Sequence, residues 1–407
     1  MRIPLKPSAP GASAPEGHLT YCTNVHPGES WAETRAAIER WVPSVRERAC
    51  PDAPFGVGLR LSARAAEELA IDTELSRFAS YLAEERLYVF TINGFPQGNF
   101  HGERVKERVY RPDWSTRDRL EYSNRLAVIL AALIPEDVGT GSVSTVPLSF
   151  RGARSVDECV EPLLAHALHL SRVEKETGRT LTLALEPEPF CELETCAEAA
   201  AFFERTLFAP ASVRRFAALA SMSPGEAERT LRRHLGLCLD ACHLAVWFES
   251  PRDALDALER AAVRIAKVQV TTGLRITASG AENDPARLAL ARFAESTYLH
   301  QTKVRRESGE ITRYLDLPEA LAREPHAPGE WRVHFHVPIW MERIGVFGNT
   351  QTELSALFTE LAARDWPCRQ LEVETYTWDV IPEEHRPGAL DEALARELAF
   401  VREVAGE

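Results

Sequence analysis

Short apolar runs recur along this chain, and stretches with charged and apolar residues in helical rotation separate them. The runs are His18–His26, Phe55–Ser62, Leu87–Gly94, Gly141–Phe150, Leu181–Glu188, Leu235–Ala245, Ala266–Gly273 and Leu371–Trp378. Between them, Ser30–Arg48 carries Trp31, Ala36, Ile38, Trp41 and Val45 among charges. Thr73–Glu85, Thr116–Leu133, Val156–Thr177, Ala197–Phe208, Pro251–Ala262 and Thr352–Arg364 have the same character. Strands alternating with amphipathic helices predict βαβ units and a parallel sheet. Eight such units, apolar on both faces of most strands, predict an α/β fold of the (β/α)₈ TIM-barrel type.

Two regions exceed a minimal barrel. Residues 209–234 predict a helical insertion before the run that ends near Asp240. Residues 274–331 predict a long loop insertion, with no strong apolar run until Trp331. A ninth run, Trp331-Arg-Val-His-Phe-His-Val-Pro338, closes that insertion and is expected to return to the barrel mouth. No Gly/Ser linker marks a break near residue 275, so residues 18–407 are expected to form a single barrel domain. Residues 1–17 are rich in Pro, Ala and Ser and are expected to be a disordered tail.

Composition narrows the functional classes. The formal net charge of the 407 residues is −13, which weighs against a phosphate-backbone ligand. The small basic cluster Arg104, Lys106 and Arg108 is expected to be a solvated face. No apolar run reaches the length of a membrane span, and the opening residues lack a signal-peptide core. The eight cysteines form no CxxC pair, and several sit in apolar runs. A reduced, cytoplasmic protein is expected.

The ends of the apolar runs carry the candidate chemistry. Leu181-Thr-Leu-Ala-Leu-Glu186 ends on Glu186, and Leu235-Gly-Leu-Cys-Leu-Asp240 ends on Asp240 with His243 three residues beyond. Gln269 lies in the seventh run, and Glu374 ends the eighth, sharing a face with Glu372 by period-two alternation. His334 and His336 share a face of the ninth run in the same way. Barrel sites lie at the C-terminal strand ends, so these side chains are expected to converge. Glu186, Asp240, Glu374 and the amide oxygen of Gln269 suit Mn²⁺ or Mg²⁺. Adding His243, His334 and His336 moves the preference towards Zn²⁺ or Fe²⁺.

Other polar groups follow strands one and three. Asn24-Val-His26-Pro-Gly28 and Asn93-Gly-Phe-Pro-Gln-Gly-Asn-Phe-His101-Gly102 place His26, Asn93 and His101 near tight turns, as substrate-binding candidates. Glu188, in Glu186-Pro-Glu188-Pro, is placed to support the ligands or act as a base, and Tyr376 and Trp378 to form an aromatic wall. GxGxxG after a strand, GxxxxGK[ST], GxSxG and HExxH are all absent, so nucleotide cofactors and a serine nucleophile are not supported.

The pattern of Glu186, Asp240-x-x-His243 and Glu374 at successive strand ends resembles the xylose-isomerase-like superfamily of TIM barrels, which includes sugar epimerases and inosose dehydratases. That resemblance implies a metal site, although its seventh-strand ligand is commonly His or Asp and here is Gln269. More narrowly, four segments resemble the EboE family of metabolite traffic proteins. They are His18–Gly28, Asn93–Gly102, Val109-Tyr-Arg-Pro-Asp-Trp114 and Leu371-Glu-Val-Glu-Thr-Tyr-Thr-Trp378. This second resemblance implies the handling of a secondary metabolite, with protein partners of the same pathway, and supplies no reaction.

Three functional readings follow. The first is a metal-dependent isomerase or epimerase acting on a small polar metabolite, with Glu186, His243 or Glu374 moving the proton. The second is a metal-dependent hydrolase or oxidase. The third is a metabolite-binding protein without turnover.

Overall fold

The computed structural model describes residues 1–98, 105–282, 284–386 and 388–406. Eight parallel strands form the barrel: β1 (Glu16–Tyr21), β2 (Phe55–Arg60), β3 (Leu87–Asn93), β4 (Thr140–Thr145), β5 (Thr180–Leu185), β6 (Leu235–Asp240), β7 (Ile265–Val270) and β8 (Gln370–Val373). From β2 to β8 each strand pairs in parallel with the next, and β8 also pairs in parallel with β1. Closure between β1 and β2 is a single parallel bridge, Cys22 to Gly58.

Thr20 explains how so thin a seam holds. Its hydroxyl donates to the Gly56 carbonyl at 2.8 Å and accepts from the Gly58 amide at 2.9 Å, standing in for a backbone ladder. A β-carbon at Gly58 would collide with the Glu372 carboxylate and the Tyr21 carbonyl. Glycine there therefore permits both the closure and a glutamate inside the barrel.

The helices predicted between strands form, and their starts follow local chemistry. Ser30 and Glu33 make a reciprocal capping box for helix Trp31–Ala49. The insertion before β6 is helical as expected, with Pro210–Ala220 and Pro224–His234 each opening on proline.

Two expectations fail. Residues 274–331 are not a loop insertion. They supply most of a six-stranded antiparallel sheet whose order is Ile311–Tyr314, Thr302–Arg305, Gly329–His336, Gly273–Ala278, Phe347–Asn349, Arg343–Ile344. Strand Gly273–Ala278 buries Leu274, Ile276 and Ala278 while Arg275 and Thr277 face outward. Half-buried strands of period two contain no continuous apolar run, which is why the run search passed over them.

Residues 1–17 are not a uniform tail either. Arg2–Pro4 pairs antiparallel with β1, and Ile3 and Leu5 are buried in the common core while residues 8–14 are exposed. The alternation Ile3, Leu5 against Arg2, Pro4, Lys6 is the signal of an edge strand.

Candidate metal centre

The new sheet lies over the C-terminal end of the barrel and brings its histidines to the strand ends. Asp240 ends β6 and caps the short helix Ala241–Val246, its Oδ1 accepting the His243 amide at 2.9 Å. An N-cap and the third residue of its helix share one face, so the D-x-x-H spacing stacks the His243 ring above the carboxylate. The Thr271 hydroxyl donates to the same Oδ1 at 2.7 Å. Asp240 Oδ2 has no hydrogen-bond partner among the described residues.

Glu186, just past β5, and Glu374, just past β8, meet Asp240 with carboxylate oxygens within 4.8 Å of one another. Glu374 Oε1 accepts from Asn24 at 2.6 Å and Asn93 at 2.7 Å. Glu186 Oε2 and Glu188 Oε2 are buried without a hydrogen-bond partner among the described residues. Burial, with the neighbouring Glu374 and Asp240 carboxylates, pushes Glu186 well above the usual carboxylate range. Burial, then Asp240 and Glu372, pushes Glu374 up to about 8. Burial pushes Glu188 up to about 7.

The imidazoles form the other side. His334 and His336 sit on strand Gly329–His336, where a bulge shifts the register between Val333 and His336. His334 Nε2 lies 3.0 Å from His243 Nε2 and 3.2 Å from His336 Nε2. The opposite nitrogens are fixed by acceptors. His243 Nδ1 donates to the Pro187 carbonyl at 2.9 Å, and His336 Nδ1 to the Glu374 carbonyl at 2.8 Å.

For His334 the partner is Gln301 Oε1 at 2.7 Å. The Gln301 amide nitrogen is committed to the Pro189 carbonyl at 3.3 Å and the Tyr110 hydroxyl at 2.7 Å, which settles which end of the amide faces His334. A carbonyl oxygen only accepts. All three rings therefore carry their hydrogen on Nδ1 and turn a bare Nε2 lone pair inward. Burial holds His336 down at about 4 and His334 well below the ordinary imidazole range.

These donors fit a divalent cation. Free carboxylate oxygens and imidazole lone pairs converge in buried space, while the outward-facing atoms are held by backbone and amide partners in the manner of metal-supporting contacts. The adjoining cavity, of about 60 Å³, is lined by Glu186, Glu188, His243, His334, His336 and Glu374, with Phe95, Tyr110, Tyr298 and Tyr376 also in its wall.

The remaining predicted residues separate clearly. Gln269 does not reach the cavity. It shares the barrel-interior face of β7 with Lys267 and lies beside Glu372 in the neighbouring strand. Glu372 itself pairs with Lys267 at 2.5 Å inside the barrel, which leaves Glu374 as the residue at the mouth. His26 stacks on Trp41 with ring centroids 5.5 Å apart and meets the Tyr21 hydroxyl at 3.1 Å, away from the cavity. Asn93 lines the cavity but is committed at both ends, donating to Glu374 and accepting the Phe95 amide at 3.0 Å.

Tyr376 joins the wall, its ring 4.7 Å from that of His336, whereas Trp378 is buried elsewhere. His101 and Arg104 lie outside the described residues. Lys106 is no solvated residue: it is buried and paired with Asp316 at 2.6 Å, tying the segment after β3 to the insertion. Asn24, Tyr110, Thr271 and Gln301 were not singled out from sequence. Tyr110, Asn24 and Thr271 lay within segments already marked by their pattern.

No protein-family model matches the chain, and no curated protein matches it. Among solved structures, it is similar to the IOLI protein with a bound zinc atom (13% identity, 95% of this chain and 98% of that one, TM-score 0.45). It is also similar to D-psicose 3-epimerase in the presence of D-fructose (12%, 96% and 100%, TM-score 0.44). A third is a xylose isomerase domain protein from Planctomyces limnophilus (12%, 89% and 90%, TM-score 0.43). The (β/α)₈ barrel of this chain is established by its own strand order and parallel pairing.

Proposed function

We propose that the chain is a divalent-metal-dependent enzyme acting on a small polar metabolite, with isomerisation or epimerisation of a hydroxy-carbonyl compound as its reaction. The observation that carries this reading is the convergence of Glu186, Asp240 and Glu374 with three bare imidazole nitrogens beside a small cavity. A bound divalent ion supplies Lewis acidity towards adjacent carbonyl and hydroxyl oxygens.

The side chains then divide the remaining work. Asn24 and Asn93 hold Glu374 Oε1, so its second oxygen faces the ligand space. Tyr110 donates to Glu188 Oε1 at 2.7 Å and leaves Oε2 at the cavity wall, where it can take a proton from a substrate carbon and return it. Tyr298, Tyr376 and Phe95 set aromatic faces in the wall of that space. The resemblance of the sequence to the EboE family supports a substrate drawn from secondary metabolism. A second reading, metal-assisted hydrolysis or oxidation, is favoured by the imidazole-rich side of the centre.

Two measurements test the first reading. Elemental analysis of the protein purified without chelator should find a bound divalent metal, lost in Asp240→Asn, which retains the helix cap. Incubation with a panel of hydroxy-ketones and hydroxy-aldehydes in deuterated buffer should then show deuterium uptake beside the carbonyl, abolished in Glu188→Gln. A wild type that neither holds nor takes up metal would overturn it, as would metal-loaded protein without exchange on any panel member.

A further inference from the structure

We propose that the substrate is amphipathic: a hydroxy-carbonyl head that reaches the carboxylates and imidazoles, and an apolar body, an alkyl chain or a single ring, that lies against the rest of the cavity wall. This deepens the proposed function and rests on it.

The division of the wall carries the inference. The carboxylates and imidazoles occupy one part of it, and apolar surface makes up much of the remainder. Two ring pairs stand there. Phe95 stacks on Tyr110 with ring centroids 5.7 Å apart, and the Tyr110 hydroxyl reaches Glu188. Tyr376 meets Tyr298 edge to face at 5.2 Å and lies 4.7 Å from the His336 ring. One pair therefore borders a carboxylate and the other an imidazole. Pro96, Val105, Val109 and Leu299 add aliphatic surface to the same wall.

Polar side chains in that wall are committed to the protein. The Lys106 ammonium has three hydrogens. The Glu295 carbonyl at 3.2 Å, the Tyr298 carbonyl at 2.6 Å and the Asp316 carboxylate at 2.6 Å take all three. Asn24 and Asn93 give amide hydrogens to Glu374. The Tyr110 hydroxyl donates to Glu188 and accepts from Gln301.

A polyol laid along this wall would exchange hydrogen bonds to water for ring faces and methyl groups, and each hydroxyl left unpaired lowers its affinity. An alkyl group gains instead, about four-fold in affinity for each methylene removed from water. Counted with its opening to solvent, the cleft holds about 540 Å³ of empty space, which gives room for a body as well as a head. Val109 and Leu299 are then specificity-determining residues. Both touch the space and neither belongs to the carboxylate and imidazole cluster.

Two homologous series test this on the Mn²⁺-loaded full chain, by calorimetric titration and by deuterium uptake. One lengthens hydroxyacetone by successive methylenes. The other lengthens dihydroxyacetone by successive hydroxymethylenes, through erythrulose to fructose. Affinity should rise about four-fold with each methylene until the wall is covered, and stay level or fall along the polyol series. Val109→Thr, close in size, should flatten the rise while hydroxyacetone binds as before. Leu299→Ala should carry the rise on to a longer chain, a readout that general structural damage would not produce. A flat alkyl series, or a polyol series that gains with each unit, would overturn the amphipathic substrate and, where exchange is seen, leave the metal-dependent reading standing. Variants that both repeat the wild-type alkyl series would overturn it as well. Neither binding nor exchange with any member of either series would overturn both readings.

Discussion

Glu372 and Glu374 are two residues apart on one chain segment, and their surroundings could hardly differ more. Glu372 points into the barrel and meets Lys267 at 2.5 Å, with Gln269 beside it. Glu374 emerges at the mouth, where amides hold one oxygen and its other neighbours include Asp240. Both are buried glutamates that a sequence reading places on one face. The first is neutralised within the fold, and the second is left for something outside it. A buried acid with its own cation is part of the architecture, whereas a buried acid without one marks a site.

Breaking the internal pair gives the largest expected effect. Lys267→Met leaves Glu372 buried and alone, which should cost about 3–5 kcal/mol of stability in denaturant unfolding. Adding Glu372→Gln should recover most of it. A single-variant loss below about 1 kcal/mol would mean that Lys267 is not what neutralises the interior.

Glu397 lies between the two cases. It accepts from the Thr375 hydroxyl at 2.6 Å and has no cationic partner among the described residues. Burial pushes it up to about 7 from an ordinary 4.5. An acid raised in the folded state contributes stability that is fully present below about pH 4.5 and is lost as pH rises through about 7. Wild type should therefore lose about 2–3 kcal/mol between pH 5 and 8 relative to Glu397→Gln. Parallel pH profiles for the two proteins would show that Glu397 ionises without penalty.

At the mouth, Asn93→Asp keeps an acceptor for the Phe95 amide but turns a carboxylate towards Glu374. About 1–2 kcal/mol of stability should be lost, and metal should bind about ten- to a hundred-fold more weakly by calorimetric titration. Unchanged affinity would show that Glu374 needs no amide support. The smallest effect is expected at His26→Phe, which keeps the stack on Trp41 and loses only the Tyr21 contact. About 1 kcal/mol should go, with metal content unchanged. Loss of metal there would return His26 to the centre.

Much of the barrel was legible because each strand is a short apolar run that ends where its ligand begins. Asp240 and His243 were legible as a spacing, since one carboxylate both caps the helix and faces the site. Gln269 misled because its position in the seventh strand matched a ligand register, while period-two alternation with Lys267 turns it to the interior. His26 misled because a histidine beside a Pro-Gly turn looks exposed, yet the turn folds it back onto Trp41. Gln301 was invisible: its role depends on pairing between two strands of the insertion sheet, and nothing local in His300-Gln301-Thr302 announces that. The edge strand Arg2–Pro4 was hidden by the Pro- and Ser-rich stretch that follows it.

The joining of strand Gly329–His336 to the barrel mouth also bears on the order of assembly. A cation gripped by Asp240 and His336 would span two sheets that fold from different stretches of chain, so the complete pocket would come into being only when both have docked. An early barrel would offer its carboxylates and His243 without the imidazoles of the insertion sheet, and would hold an ion loosely. Once the second sheet arrives, a bound ion would become a clip across a long loop, and the entropy of opening that loop is what it would then oppose.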